Sequence, residues 1–395
     1  MKISSPDTQQ FIEHHLQDNI RSLALQKGKY PDVDLTEAIT QIAGYQVAQE
    51  KIPTWAKLRT IVYPRHLSLE QCSSEATALY KASLVEGNEL VDLTGGFGID
   101  CSFMAQKFKK ATYVEQQTEL CDLATHNFKA LNLGHIRVVN SDSVEFLKEM
   151  SPVDTLFIDP ARRNEHGGKT VAISDCEPNV GDLEDLLLQK APQVMIKLSP
   201  MLDMTLATRA LKRTTAIHIL SVNNECKELL FILQETPEPT DFRLYCTNIT
   251  SAGEQPLFSF TRKEEAESEC LYTDQVKNYL FEPNASILKA GAYRKVAETF
   301  ELEKLHPNSH LYTSDEPNST FPGRKFQVEE VCGFNKKELK QLLGPSKKAN
   351  LTIRNFPSTV AELRKRLKIG EGGDVYLFAT TLANEQKVLI RCKKI

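Results

Sequence analysis

The sequence is short of several things that would place it outside the ordinary globular class. It has no C-x-x-C pair, and its nine cysteines (72, 101, 121, 176, 226, 246, 270, 332 and 392) are scattered and odd in number. That spacing fits neither a zinc site nor a disulfide framework, so reduced thiols and a cytoplasmic location are expected. No stretch approaches the roughly 18 apolar residues of a membrane span. The opening MKISSPDTQQFIEHHLQDN contains no apolar leader core, so no membrane association is expected. No ligand cluster for a metal stands out either. Only one tryptophan occurs among 395 residues. Neither sign of charge dominates: 48 Lys and Arg face 52 Asp and Glu, a net of −4, which at first argues against a nucleic-acid partner.

What remains is 41% hydrophobic and 25% charged, a composition that excludes global disorder and collagen-like fibres. The length is enough for two to four domains at roughly 100–200 residues each. Residues 1–85 read as a helical region. Phe11, Ile12, His15, Leu16, Ile20, Leu23 and Leu25 recur at helical spacing, Pro31 and Asp32 break the pattern, and it resumes over 38–47. From about 86 the rhythm becomes short apolar runs alternating with helical stretches. The runs are Glu89–Leu93, Ala111–Glu115, Ile136–Val139, Thr155–Asp159, Gln193–Leu198, Ala216–Val222 and Lys227–Gln234. Such alternation predicts an α/β domain with parallel strands covered by helices. The last two runs lie too close together for a parallel crossover, so they are expected to form an antiparallel hairpin. Two further strand-like runs, 242–249 and 257–262, complete a domain expected over 86–270.

The chemistry-bearing motifs fall at the ends of these runs. Val91-Asp92-Leu93-Thr94-Gly95-Gly96-Phe97-Gly98-Ile99-Asp100 is a strand, a glycine-rich turn and a helix start, where free N–H groups and close backbone approach favour a ligand. It fails as a dinucleotide fingerprint, because Cys101 stands where a third Gly or Ala belongs. Glu115 ends the second run, 20 positions after Gly95, where an acid would accept ribose hydroxyls. Asp142 follows the third run and could take adenine amino hydrogens or simply cap the next helix. The fourth run ends in Asp159-Pro160-Ala161-Arg162-Arg163.

Taken in order, these motifs and the terminal hairpin resemble the class I S-adenosylmethionine-dependent methyltransferases. The resemblance covers about 150 residues and implies a seven-stranded Rossmann-like sheet with S-adenosyl-L-methionine as cofactor. It implies that Asp92, Thr94, Gly95, Gly96 and Gly98 hold the methionine end, Glu115 the ribose and Asp142 the adenine. Ser73 and Ser74 stand where related enzymes close over the methionine carboxylate, though a Ser-Ser pair also serves as an N-cap. Asp159-Pro160 is similar to the box of enzymes that methylate exocyclic base amines. In those enzymes the acid and the following carbonyl accept the amine hydrogens; here Asp159 and Pro160 would be catalytic. Ala161-Arg162 replaces the usual Pro and aromatic residue, so the stacking platform is missing. Asp-Pro-Ala-Arg also resembles the box of RNA uracil-C5 methyltransferases. That chemistry needs a cysteine just after the fifth strand. Lys197-Leu198-Ser199-Pro200 has none, so the reading is disfavoured. The glycine turn is similar to that of rRNA guanine-N2 methyltransferases, and guanine N2 is the favoured target.

Arg162, Arg163, Lys169 and Lys197 put four cations at the carboxyl edge of the expected sheet, as phosphate contacts or, for the arginines, as partners of Asp159, Asp175 or Glu177. His166 reads as a general base or a solvated loop histidine. Charge along the chain reverses the first impression of the partner. Residues 321–395 hold 16 Lys and Arg and 7 Asp and Glu, a net of +9, which leaves −13 for the first 320. The segment's Arg354, and Arg364, Lys365 and Arg366 on a basic helix over 360–367, are expected RNA contacts. Residues 321–395 look like a THUMP-like domain and 271–320 like the ferredoxin-like domain that accompanies it. The combination is similar to a bacterial family found in Bacteroidetes. The expectation is a methyltransferase of tRNA or rRNA. The alternatives are an enzyme of the same fold acting on protein or a small molecule, and a non-catalytic RNA-binding protein on that scaffold.

Overall fold

Short runs of aliphatic and β-branched residues, closed by Gly, Asn or Pro, form strands where the spacing predicts them. A computed structural model describes residues 5–64, 72–162, 172–236, 241–251, 253–254, 256–344 and 346–395. It contains two units, 1–215 with 230–239 and 216–229 with 240–395.

The first unit is built on strands β1 (Glu89–Asp92), β2 (Lys110–Glu115), β3 (Ile136–Asn140) and β4 (Thr155–Ile158). A two-residue antiparallel pair, β5 (Ala161–Arg162) and β6 (Cys176–Glu177), follows, and then β7 (Gln193–Leu198). Strand β1 pairs in parallel with β2 and β4, β2 with β3, and β4 with β7. The order is therefore β3-β2-β1-β4-β7, continued by β9 (Glu225–Gln234) and β8 (Thr214–Val222). Helices Ile99–Met104, Thr118–Ala130, Ser143–Glu149, Val180–Lys190 and Met204–Ala210 supply the connections that parallel strands require. The order in which strands are added, outward through β2 and β3 and then back to β4 on the other side of β1, reverses between β1 and β4. In open sheets of this kind, that is where strand ends leave a crevice for a ligand.

The two strands β8 and β9 are joined by Asn223 and Asn224 alone, with φ of 50° and 65°. A two-residue hairpin turn needs positive φ at both positions, and Asn tolerates it better than most residues. The expected hairpin is there, with a tighter turn than the four residues read from sequence. The sheet does not stop at seven strands. Strand β10 (Arg243–Thr250) lies parallel to β8 and carries β11 (Gly253–Glu254) and β12 (Phe258–Thr261) antiparallel beside it.

The N-terminal helices are part of the first unit. Phe11, Leu23, Leu35, Ala38 and Ile42 form their own small core. The Asn127 side chain accepts from the Val62 N–H at 2.9 Å and donates to its carbonyl at 2.8 Å, which ties the end of this region to the helix after β2. Trp55 is buried edge-on against Phe97 of the glycine turn, ring centroids 5.1 Å apart.

In the second unit a seven-stranded sheet runs β14-β15-β13-β16-β19-β18-β17. Its strands are β13 (Tyr279–Pro283), β14 (Glu303–Lys304), β15 (Tyr312–Ser314), β16 (Gly323–Cys332), β17 (Asn350–Arg354), β18 (Tyr376–Thr381) and β19 (Lys387–Lys394). Side-chain alternation divides β18 between two cores: Leu377 and Ala379 pack with Leu351, Leu363 and Leu389, whereas Phe378 packs with Leu280, Phe326 and Ile390. Strand β16 pairs with β13 on one side and β19 on the other. The boundary read at residue 320 is therefore no break in the sheet. Among the described residues no helix is long and apolar enough to cross a membrane.

Candidate active site

The carboxyl ends of β1, β2 and β4 and the start of the helix after β3 bring the predicted motifs to one edge. The glycine turn is shaped by close packing. A Cβ on Gly95 would lie 2.1 Å from the Tyr113 ring, so only glycine fits. The Tyr113 hydroxyl donates to the Gly96 carbonyl at 2.5 Å, and burial pushes that phenol up. Gly98, at φ +87°, starts the helix Ile99–Met104 in a left-handed conformation.

Around this turn sit the expected acids. Asp92 is buried. Its Oδ1 accepts the Thr94 N–H at 3.0 Å, and its Oδ2 is buried without a hydrogen-bond partner. Burial pushes this carboxyl well above the usual carboxylate range. Glu115 binds the turn to its own strand end: Oε2 accepts from Gly96 N–H at 3.0 Å and Oε1 from Gln117 N–H at 2.8 Å. Asp142 is exposed and caps the helix Ser143–Glu149, its Oδ1 accepting from Val144 and Glu145. Its Oδ2 has no hydrogen bond among the described residues. Thr94 reaches across to β4, where its Oγ1 accepts the Asp159 N–H at 2.6 Å. Pro160 is buried beside it. Ser74 is the N-cap of the helix Glu75–Ser83, accepting from Thr77 at 3.3 Å, which is the plainer of its two readings.

Ser73 belongs to something the sequence reading missed. Its hydroxyl donates to Asp100 Oδ2 at 2.7 Å and accepts from Lys81 and Lys197, each at 3.2 Å. Lys81, with a fully buried side chain, lies 3.1 Å from Asp100 Oδ1, and Lys197 lies 3.4 Å from Asp100 Oδ2. Lys197 also meets Asp159 Oδ2 at 2.5 Å. Burial works to raise the Asp100 carboxyl, but Lys81, Lys197 and the Ser73 hydroxyl outweigh it and hold the group below its ordinary value. Burial raises the neighbouring Cys72 thiol to about 11. A lysine in the interior of a short helix carries no sequence mark of burial beyond its apolar flanks, Tyr80 and Ala82.

The expected phosphate contacts divide. Lys197 is turned inward, its side chain only 13% exposed, because two carboxylates and Ser73 hold it. Arg162 lies on β5 opposite Cys176, and Arg163, His166 and Lys169 fall outside the described residues. Arg354 is drawn to the buried Glu282 at 2.7 Å, which it shares with Arg324. Arg364 donates to the Ala349 and Gly370 carbonyls at 3.1 and 2.7 Å, so it closes the end of its helix. Arg366 donates to the Phe334 carbonyl and lies over that ring. Lys365 is exposed and makes no ion pair or hydrogen bond among the described residues.

The residues present fit the group implied by the resemblance. Gly96 has φ of +54° and open space beside its Cα, Asp92 holds an orphaned buried oxygen, and Glu115 and Asp142 retain lone pairs at adjacent strand ends.

Three family models match the chain. Residues 29–164 match protein-L-isoaspartate (D-aspartate) O-methyltransferase, 279–322 a ferredoxin-like domain and 323–394 a THUMP-like domain. No curated protein matches. Among solved structures, one described as a "putative methyltransferase" from Porphyromonas gingivalis W83 is 34% identical over 100% of both chains, with a TM-score of 0.88. An rRNA methylase from Streptococcus thermophilus is 12% identical, covering 41% of this chain and 96% of its own, with a TM-score of 0.31. TrmN from Thermus thermophilus is 18% identical, covering 41% and 48%, also at 0.31. Scores that low carry no argument about function. The full-length match does: the chain belongs to the family of the Porphyromonas protein, a methyltransferase fold followed by ferredoxin-like and THUMP-like domains.

Proposed function

We propose that this protein is an RNA methyltransferase that uses S-adenosylmethionine and acts on an exocyclic base amine, guanine N2 by preference, in tRNA or rRNA. The observation that carries the proposal is the convergence of the glycine turn, Glu115, Asp142 and Asp159 at neighbouring carboxyl ends of one parallel sheet. Glu115 would take the ribose, Asp142 the adenine, and Asp92 with the turn the methionine end. When bound, the cofactor supplies a methyl group already activated for transfer. The protein then needs chiefly to orient the acceptor lone pair in line with it. Asp159 Oδ1 and the Pro160 carbonyl are the acceptors available to an amine. The THUMP-like match over 323–394 supports RNA as the substrate class.

The match over 29–164 supports a second reading, methylation of a protein carboxylate. It spans the cofactor side of the sheet, which such enzymes have in common, and leaves out β7 to β9. A transfer assay separates the two. With labelled S-adenosylmethionine, RNA from cells lacking the gene should accept label and the protein fraction from the same cells should not. Label confined to protein rejects the RNA reading.

A further inference from the structure

We propose that Lys197 is a positioning residue for Asp159, set in place by a buried relay of Ser73, Asp100 and Lys81. This rests on the reading of Asp159 as the acid that meets the target.

Five separate elements meet at the relay: the loop bearing Ser73, the helix of Lys81, the helix of Asp100, the end of β4 and strand β7. The three N–H donors of Lys197 have three acceptors here, Ser73 Oγ, Asp100 Oδ2 and Asp159 Oδ2. The Ser73 hydroxyl gives its one proton to Asp100 and uses its lone pairs for the two lysines. A group so fully engaged cannot swing out to a phosphate without breaking the set. It does fix one thing that would otherwise rotate, the 37% exposed Asp159 carboxylate. With Oδ2 on Lys197 and the backbone N–H on Thr94, Oδ1 is, among the described residues, the oxygen left for the acceptor. The ionisable groups around Asp159 are Lys197 in contact, with Asp92, Asp100 and Lys81 behind it. Removing Lys197 therefore exposes Asp159 to two carboxyl neighbours with its direct cation gone.

The test uses the full chain and two readouts. The first is methyl transfer to RNA from cells lacking the gene. Lys197→Met should lower kcat about 100-fold, the loss that a misplacement of roughly 1 Å produces. Binding of S-adenosylhomocysteine should stay within about threefold, and Lys197→Arg should recover a large part of the rate. The second readout needs no substrate: in crystal structures of the wild type and Lys197→Met, the Asp159 carboxylate should leave its wild-type position in the variant. A Lys197→Met protein with unchanged kcat and an unmoved Asp159 carboxylate overturns the proposal. A wild-type protein that transfers no methyl group overturns the functional reading instead, and the position of the carboxylate still decides this one. If Trp55 emission shows that Lys197→Met is unfolded, Lys197→Gln carries the same test.

Discussion

Lys81 offers a quantitative test of how the site edge is held together. Its ammonium is fully buried and sits 3.1 Å from Asp100, a carboxylate that is itself buried. Replacing Lys81 with Met keeps most of the packing volume but leaves Asp100 in the interior with one cation fewer. Breaking a buried pair in this way costs about 3–5 kcal/mol, because the surviving charge stays desolvated. Lys197, at 3.4 Å, still faces Asp100, so the expected loss is at the low end, about 3 kcal/mol. Trp55, the only tryptophan, is buried against Phe97 in the same unit, so its emission follows unfolding of this unit alone. With a urea slope of about 2 kcal/mol/M, the Trp55 midpoint should fall by about 1.5 M. A second substitution completes the cycle. Lys81→Met with Asp100→Leu removes both charges and should recover about 2 kcal/mol of the loss. Asp100 also predicts the pH dependence of the wild type. Its folded value is lowered, so its contribution is complete above the unfolded value of about 4 and is lost as pH falls below it. A loss under about 1 kcal/mol for Lys81→Met, or simple additivity in the double variant, would refute the coupling.

Other outcomes follow from the same contacts. Asp159→Ala should abolish transfer while leaving S-adenosylhomocysteine affinity within about threefold, measured by calorimetry; a matching loss of affinity would make Asp159 a cofactor contact. Lys365→Glu with Arg366→Glu should weaken RNA binding and lower the slope of log affinity against log salt by roughly 1.5, whereas an unchanged slope places the RNA elsewhere. In the second unit, burial pushes His218, stacked on Tyr245 at 4.6 Å, down to about 4. Because the folded value lies below the unfolded one, the unit should be fully stable above about pH 6.5 and lose on the order of 3 kcal/mol as pH falls towards 4. Hydrogen exchange at β8 and β10 would show this, and His218→Phe should flatten the dependence.

The parts of the fold that were legible are those where one local rule decides. The apolar runs from Glu89 to Gln234 are bounded by turn residues, and each became a strand within about two residues of its reading. The hairpin followed from loop length alone. The edge of the site was legible because glycines and strand-end acids have few other uses in that order. The relay was not, since nothing local distinguishes a buried Lys81 or Lys197 from a solvated lysine. What fixes them is a meeting with Asp100 and Ser73, which for Lys197 lie 97 and 124 positions away in sequence. The basic C-terminal segment shows the same limit. Charge counting identified Arg354 and Arg364, but one is held by Glu282 and the other by two carbonyls. The continuous sheet also changes a natural experiment. Deleting 321–395 would remove β16 to β19 and uncover Leu280 and Phe281 of β13, so surface charge reversal is the sounder probe.

The central claim is that this chain methylates a base amine of RNA. Mass spectrometry of nucleosides from separated tRNA and rRNA, with and without the gene, tests it most directly. The account predicts the loss of a single N-methylated nucleoside, N2-methylguanosine first, restored by the wild-type gene and not by Asp159→Ala. An unchanged set of methylated nucleosides in both fractions would contradict it.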